Sequence, residues 1–183
     1  VTYVALLRGI NVGGQKLIKM EVLKKIFEDM GFKNARTYIQ SGNVIFDAGK
    51  SKPETLRQKI ETWLEKILGY GVTVVVRTMD ELEQVIKKYP FSKVKGHENS
   101  KVYVSFLSEE PDKNRIKELT SLSSNNEMFH IKGNNVYILL RMGFPDSLTG
   151  KNIIEKKLKV RATTRNWQTV NKLQALSAAN GFQ

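Results

Sequence analysis

Apolar and polar positions follow two periods along this chain, and their order predicts its architecture. Residues 3–8 are apolar on both alternating faces, the pattern of a strand in the middle of a sheet. Met20, Leu23, Ile26, Phe27 and Met30 then recur at helical spacing, and Gly31 is suited to end that helix. Residues 35–40 and 43–46 read as two short strands around a Ser41-Gly42 turn. Ser51-Lys52-Pro53-Glu54 carries a helix-start signature, a serine three residues before a glutamate with proline in the first turn. Leu56, Ile60, Trp63, Leu64, Ile67 and Leu68 follow at helical spacing up to Gly69, and the β-branched run 72–77 predicts a strand. The order is β-α-β-β-α-β. Short connections and right-handed crossovers favour a ferredoxin-like layer, an antiparallel sheet with two helices on one face.

Residues 80–89 predict a further helix that ends before Pro90. The polar, glycine-containing segment 91–100 marks a boundary between a ferredoxin-like domain over 1–90 and a second α+β unit over 91–183, packed on the first. There the pattern starts again: strand 101–107, helix 112–122, strand 128–132, a Gly133-Asn134 turn and strand 136–141. This β-α-β-β unit repeats the topology of the first without its sequence. In place of a closing strand, the pattern predicts a loop over 142–150, a basic helix around 152–158 and a last helix over 165–179. Thr163 or Thr164 would cap that helix, Gly181 would close it, and Trp167, Val170 and Leu173 share one side. The fold class expected is α+β. The second apolar face of the first strand also needs cover, from the second unit or from another chain.

Composition narrows the classes. The chain has 183 residues, 40% of them hydrophobic, and no apolar run reaches the roughly 20 residues of a membrane span. No charged-then-apolar leader begins it, and cysteine is absent, so a cytoplasmic protein without disulfides or thiol catalysis is expected. With only His97 and His130, no metal site is expected either. The net charge of +12 is unevenly spread: residues 1–78 carry +6, residues 79–150 carry zero and the last 33 residues carry +6. Basic ends favour phosphate-bearing partners, by attraction that salt screens.

Topology indicates where chemistry can gather. In a ferredoxin-like order the end of the first strand and the turn between the second and third strands lie at one sheet edge. Arg8, Asn11, Gly13 and Gly14 are thereby brought towards Gln40, Ser41, Gly42 and Asn43. Glycine tolerates the positive φ angles that turn backbone N–H groups towards an anion, and arginine supplies charge. The same residues also suit a purely structural role, the glycines making a turn and Asn11 and Asn43 capping backbone groups. Gly9-x-x-x-Gly13-Gly14 matches neither the dinucleotide fingerprint nor a P-loop, so no cofactor is indicated. The equivalent loop of the second unit, Leu107-Ser108-Glu109-Glu110-Pro111, lacks glycine and arginine altogether.

A third candidate is Thr163-Thr164-Arg165-Asn166-Trp167, whose hydroxyls and arginine at a helix start suit a phosphate or carboxylate. The run Lys156-Lys157-x-Lys159-x-Arg161 reads as a solvated helix face or a nucleic-acid contact. RNA binding on the sheet face is disfavoured, since residues 43–46 lack the stacking pair of aromatics it needs. The segments 6–14, 37–44 and 163–167 resemble the hallmark motifs of a mainly bacterial family catalogued as domain of unknown function 1697. The resemblance runs over nearly the whole chain. It implies a two-part α+β protein with a ferredoxin-like portion, and no established activity.

The expectation from sequence is a protein that binds an anionic small ligand at a rim of Arg8, Asn11, Gly13, Gly14, Gln40, Ser41 and Asn43, completed by Thr164, Arg165 and Asn166. No general base or activated nucleophile stands out. The alternatives are a nucleic-acid-binding module using the basic ends, or a homodimeric interaction protein. A membrane partner is not expected.

Overall fold

A computed structural model describes residues 1–179. They divide into two compact units, Val1–Glu83 together with the chain from Lys172, and Gln84–Asn171. The first unit runs β1 (Thr2–Leu7), α1 (Met20–Asp29), β2 (Lys33–Tyr38), β3 (Asn43–Asp47), α2 (Pro53–Leu68) and β4 (Val74–Thr78), and leads into α3 (Met79–Lys87). Its sheet has the order β2-β3-β1-β4 with every neighbour antiparallel. This is the ferredoxin-like arrangement the pattern predicts.

Alternation decides which side chains meet the helices. Tyr3, Ala5 and Leu7 of β1, Val44 and Phe46 of β3, and Val74 and Val76 of β4 share one core with Leu23, Ile26 and Phe27 of α1 and Leu56, Ile60 and Leu64 of α2. Phe46 is its aromatic centre, with Phe32 at 4.5 Å and Phe27 at 5.4 Å between ring centroids. Residues of the opposite face, Val4, Leu6, Ile45 and Val75, are buried as well, in keeping with a strand apolar on both sides. One local expectation fails. Lys52, not Ser51, precedes α2, and no side chain caps it. The Ser51 N–H, the group a capping-box glutamate would receive, instead donates to the Tyr3 hydroxyl at 2.9 Å, and Glu54 pairs with Arg57.

The second unit contains β5 (Lys101–Leu107), α4 (Lys113–Thr120), β6 (Glu127–Lys132), β7 (Asn135–Leu140), α5 (Ile153–Leu158) and β8 (Ala162–Asn166). Its sheet order is β6-β7-β5-β8, again wholly antiparallel. It therefore goes one strand further than the sequence pattern predicts. Residues 163–166 are not the cap and first turn of a helix: they pair with β5, Val104 opposite Arg165, and α6 begins only at Trp167 and ends at Ala178. The cap is Asn166, whose Oδ1 accepts the Thr169 N–H at 2.8 Å. Pairing with β5 satisfies backbone groups that an isolated threonine-rich segment would have to cap locally, which is why local pattern misses it. Gly181, expected to close the last helix, lies outside the described residues.

The two units repeat each other in register. The N–H of Leu7 donates to Gly42 O and that of Leu107 to Asn134 O, at 2.8 and 2.9 Å. Val74 N–H donates to the Glu61 carboxylate of α2, and Ala162 N–H to the Glu155 carboxylate of α5, at 2.9 and 2.8 Å. Arg77 lies opposite Val4 as Arg165 lies opposite Val104, and both arginines are buried. The division between units falls within α3, ahead of the 91–100 link, and α6 crosses it too. Polarity alone cannot register that, because each helix continues through it. Among the described residues no helix is long and apolar enough to cross a membrane.

Leu64 is fully buried between α2 and the sheet. Leu64→Ala is expected to lower unfolding free energy by about 2–5 kcal/mol, read from the midpoint of a urea titration with unchanged slope.

Candidate functional site

In the first unit, three loops end at the sheet edge where β1 finishes. The chain leaving β1 carries Arg8, whose N–H donates to Thr73 O at 2.9 Å in the loop before β4. The β2–β3 turn is fastened to the end of β1 by the bond from Leu7 N–H to Gly42 O, and Gly42 has a φ of +89°. A Cβ there would lie 2.6 Å from Ile10 Cδ1, so glycine permits the close approach. The rim that topology predicts from Arg8 and the Gln40–Asn43 turn thus forms, and a third loop, 69–73, joins it.

The glycine-rich segment is a small hairpin. Asn11 N–H donates to Lys16 O at 3.1 Å and Gln15 N–H to Val12 O at 3.0 Å, with Gly13 at φ +58° and Gly14 at +73°. Two consecutive positive φ angles are what a two-residue type I′ turn demands, and two glycines meet it without strain. Asn11, at φ +54°, locks this hairpin to the neighbouring turn. Its Nδ2 donates to Gln40 O at 2.8 Å and Ile18 O at 3.1 Å, and its Oδ1 accepts the Ile18 N–H at 2.8 Å. Asn43, fully buried, donates through Nδ2 to Tyr38 O at 2.9 Å and Ser41 Oγ at 3.0 Å. The amide nitrogens of Asn11 and Asn43 are therefore engaged in holding the rim.

The groups that face solvent there are different ones. Gly13, Gly14, Lys16, Lys19 and Gln40 are exposed, and Arg8 and Ser41 are half-buried. Lys16 Nζ lies 5.3 Å from the ring centroid of Tyr70, which steadies the cation over the edge. Tyr70 and Thr73 escape sequence reading, although Gly69-Tyr70-Gly71 just before a strand is itself a glycine-bracketed turn signal. Residues 8–19, 39–43 and 69–73 hold Arg8, Lys16 and Lys19 and no acidic residue. The loop after β5, at the equivalent position of the second unit, carries Glu109 and Glu110 instead. Val12, Leu17 and Ile39 are also exposed on the first two loops, at 64%, 71% and 46%. Ile39 adopts a φ of +50°, a strained conformation for a β-branched residue.

Thr164, Arg165 and Asn166 belong to β8 of the second unit. Thr164 Oγ1 and Ser105 Oγ share a hydrogen bond of 2.6 Å across the strands. Arg165 donates through Nη1 to Thr163 Oγ1 at 2.8 Å and Thr164 O at 3.0 Å. Burial lowers its guanidinium to about 10, and that of Arg77 likewise, so both remain charged at neutral pH. Of the basic run, Lys156, Lys159 and Arg161 are exposed on and after α5, and Glu155 within it is spent on β8. Burial, with Lys132 nearby, pulls His130 below its ordinary value. Among the described residues no three His, Asp or Glu side chains gather as metal ligands do.

Comparison with known proteins fits this architecture. Residues 1–137 match a family model described as "Protein of unknown function (DUF1697)". The conserved bacterial protein SP0830 from Streptococcus pneumoniae has a similar solved structure: TM-score 0.76, 22% identity, covering 95% of this chain and 97% of that one. At that identity the likeness establishes a shared fold. No curated protein matches the chain.

Removing the Asn11 amide strands the Ile18 N–H and two carbonyls. Asn11→Ala is expected to cost about 1–3 kcal/mol of stability, with accelerated hydrogen exchange at the Ile18 amide. Gly42→Ala is expected to destabilise through both its positive φ and the overlap with Ile10, seen as a lower thermal midpoint than Gly49→Ala, where a Cβ meets open space.

Proposed function

We propose that this chain, which belongs to the DUF1697 family, binds a phosphate-bearing or similarly anionic small ligand at the rim of its first sheet. The observation that carries the reading is the composition of that rim: three loops converge whose own residues include Arg8, Lys16 and Lys19 and no Asp or Glu. The second unit has the same topology with Glu109 and Glu110 at the matching loop, so the fold itself does not require a basic edge. In this reading Arg8 and Lys16 meet the charge, the exposed tip Gly13-Gly14 offers backbone N–H groups, and Gln40 and Ser41 orient the ligand. Asn11 and Asn43 act behind them as braces. The absence of cysteine accords with work in the cytoplasm.

An NMR titration with inorganic phosphate and pyrophosphate at constant ionic strength tests it. Saturable shifts are expected in the amides of residues 9–19 and 39–43. Arg8→Gln and Lys16→Gln should each weaken binding about tenfold, as loss of one charged hydrogen bond of about 1.5 kcal/mol implies. Shifts that never saturate, or that spare these loops, refute the reading.

A second reading, a homodimeric interaction protein, draws on the exposure of Val12, Leu17 and Ile39 beside the same cations. Leu17→Glu separates the two. It should abolish self-association measured by light scattering if the apolar residues form an interface, and leave the mass unchanged if the rim serves only a small anion.

A further inference from the structure

The second unit holds a pocket that lies apart from the rim in sequence and chemistry. It has a volume of about 470 Å³, within the range of small-ligand sites. It opens where the turn after α3, the start of β5 and the junction of β8 with α6 come together, and Trp167, Tyr103, His97, Glu98, Lys101 and Gln168 line it.

Trp167 is the fixed element of this pocket. Its ring packs 5.0 Å from Tyr89 and 6.5 Å from Tyr137, and Tyr89 in turn meets Phe91 at 5.7 Å edge-on. The Tyr137 hydroxyl donates to Val85 O at 2.6 Å, which pins one of these supports. An aromatic wall so braced loses little freedom when a planar ligand stacks on it. His97 is held as well: its Nδ1 lies 3.0 Å from the Tyr89 hydroxyl, and its Nε2 lies 3.6 Å from the Glu98 carboxylate. The Tyr89 hydroxyl and His97 Nδ1 thus share one hydrogen bond that fixes the imidazole ring against the aromatic wall. Three further lining groups are polar and of mixed kind. Lys101 supplies one cation, Glu98 an acceptor for hydroxyls, and Gln168 a donor and an acceptor on one amide.

That combination selects a ligand class. A bare phosphate would use Lys101 alone and meet Glu98 as a repulsive neighbour. A purely apolar ring would strand the amide and both charges. A planar heterocycle with edge donors and acceptors, a hydroxylated sugar and a single anionic group uses them all. We propose that this pocket binds a nucleoside monophosphate, its base stacked on Trp167, its sugar hydroxyls towards Glu98 and its phosphate at Lys101. Stacking of one base on an aromatic side chain is sequence-tolerant, so Trp167 provides affinity and the Gln168 amide the choice among bases. This site does not depend on the rim of the first sheet, and either can fail without the other.

The chain has two tryptophans, and Trp63 lies partly exposed on α2, so Trp63→Phe leaves Trp167 as the sole reporter. The experiment follows Trp167 fluorescence and its indole N–H resonance during titration with AMP, adenosine and ribose 5-phosphate. Saturable quenching with a moving indole resonance is expected for AMP and adenosine, and no response for ribose 5-phosphate. Lys101→Ala should weaken AMP about tenfold and leave adenosine unchanged, whereas a general loss of folding would weaken both. An unmoved indole resonance at millimolar AMP, an equal response to ribose 5-phosphate, or undiminished AMP binding in a Lys101→Ala variant that still binds adenosine overturns the assignment.

Discussion

Antiparallel pairing on both edges of β1 is the constraint on which the first unit rests. With β3 on one side and β4 on the other, both running opposite to β1, the chain must enter β3 and β4 at the edge where β1 ends. Three loops are thus forced together before any side chain is chosen. What the sequence then adds is closeness and charge. Gly42 lets the turn touch Ile10, Asn11 ties hairpin to turn, and the three loops carry Arg8, Lys16 and Lys19 with no Asp or Glu in their own sequence.

The same constraint acts a second time in the second unit, where β5 lies between β7 and β8 with matching register. A carboxylate on the helix before the last strand receives that strand's first N–H in both units, and a buried arginine of that last strand sits opposite a central-strand valine, Val4 in β1 or Val104 in β5. Recurrent framework groups of this kind carry the fold. The groups that differ between the units are a basic, glycine-rich edge in one and an aromatic pocket with mixed polar lining in the other.

The candidate site was partly legible. Arg8, Gly13, Gly14, Gln40 and Ser41 could be assigned to one edge because strand order follows from hydrophobic period and turn residues. The roles of Asn11 and Asn43 could not, since their partners are backbone groups such as Gln40 O and Tyr38 O, and only folded geometry shows where a carbonyl points. Thr164, Arg165 and Asn166 read as a helix start for a similar reason. A threonine pair followed by helical spacing is a sound local signal, but pairing with β5 outweighs it by satisfying the whole backbone of the segment.

By itself, then, the sequence determined the α+β class, the ferredoxin-like order of the first unit, most of the helices and the charge of the rim. These depend on periodicity, turn chemistry and composition, which are local or additive properties. Only the tertiary structure decided that the second unit closes with β8, that Gly13-Gly14 is the tip of a hairpin, and that Trp167 stands against Tyr89 and lines one pocket with His97. Each of these joins residues distant in sequence or backbone groups with no letter of their own, and a pattern along one chain contains no term for either.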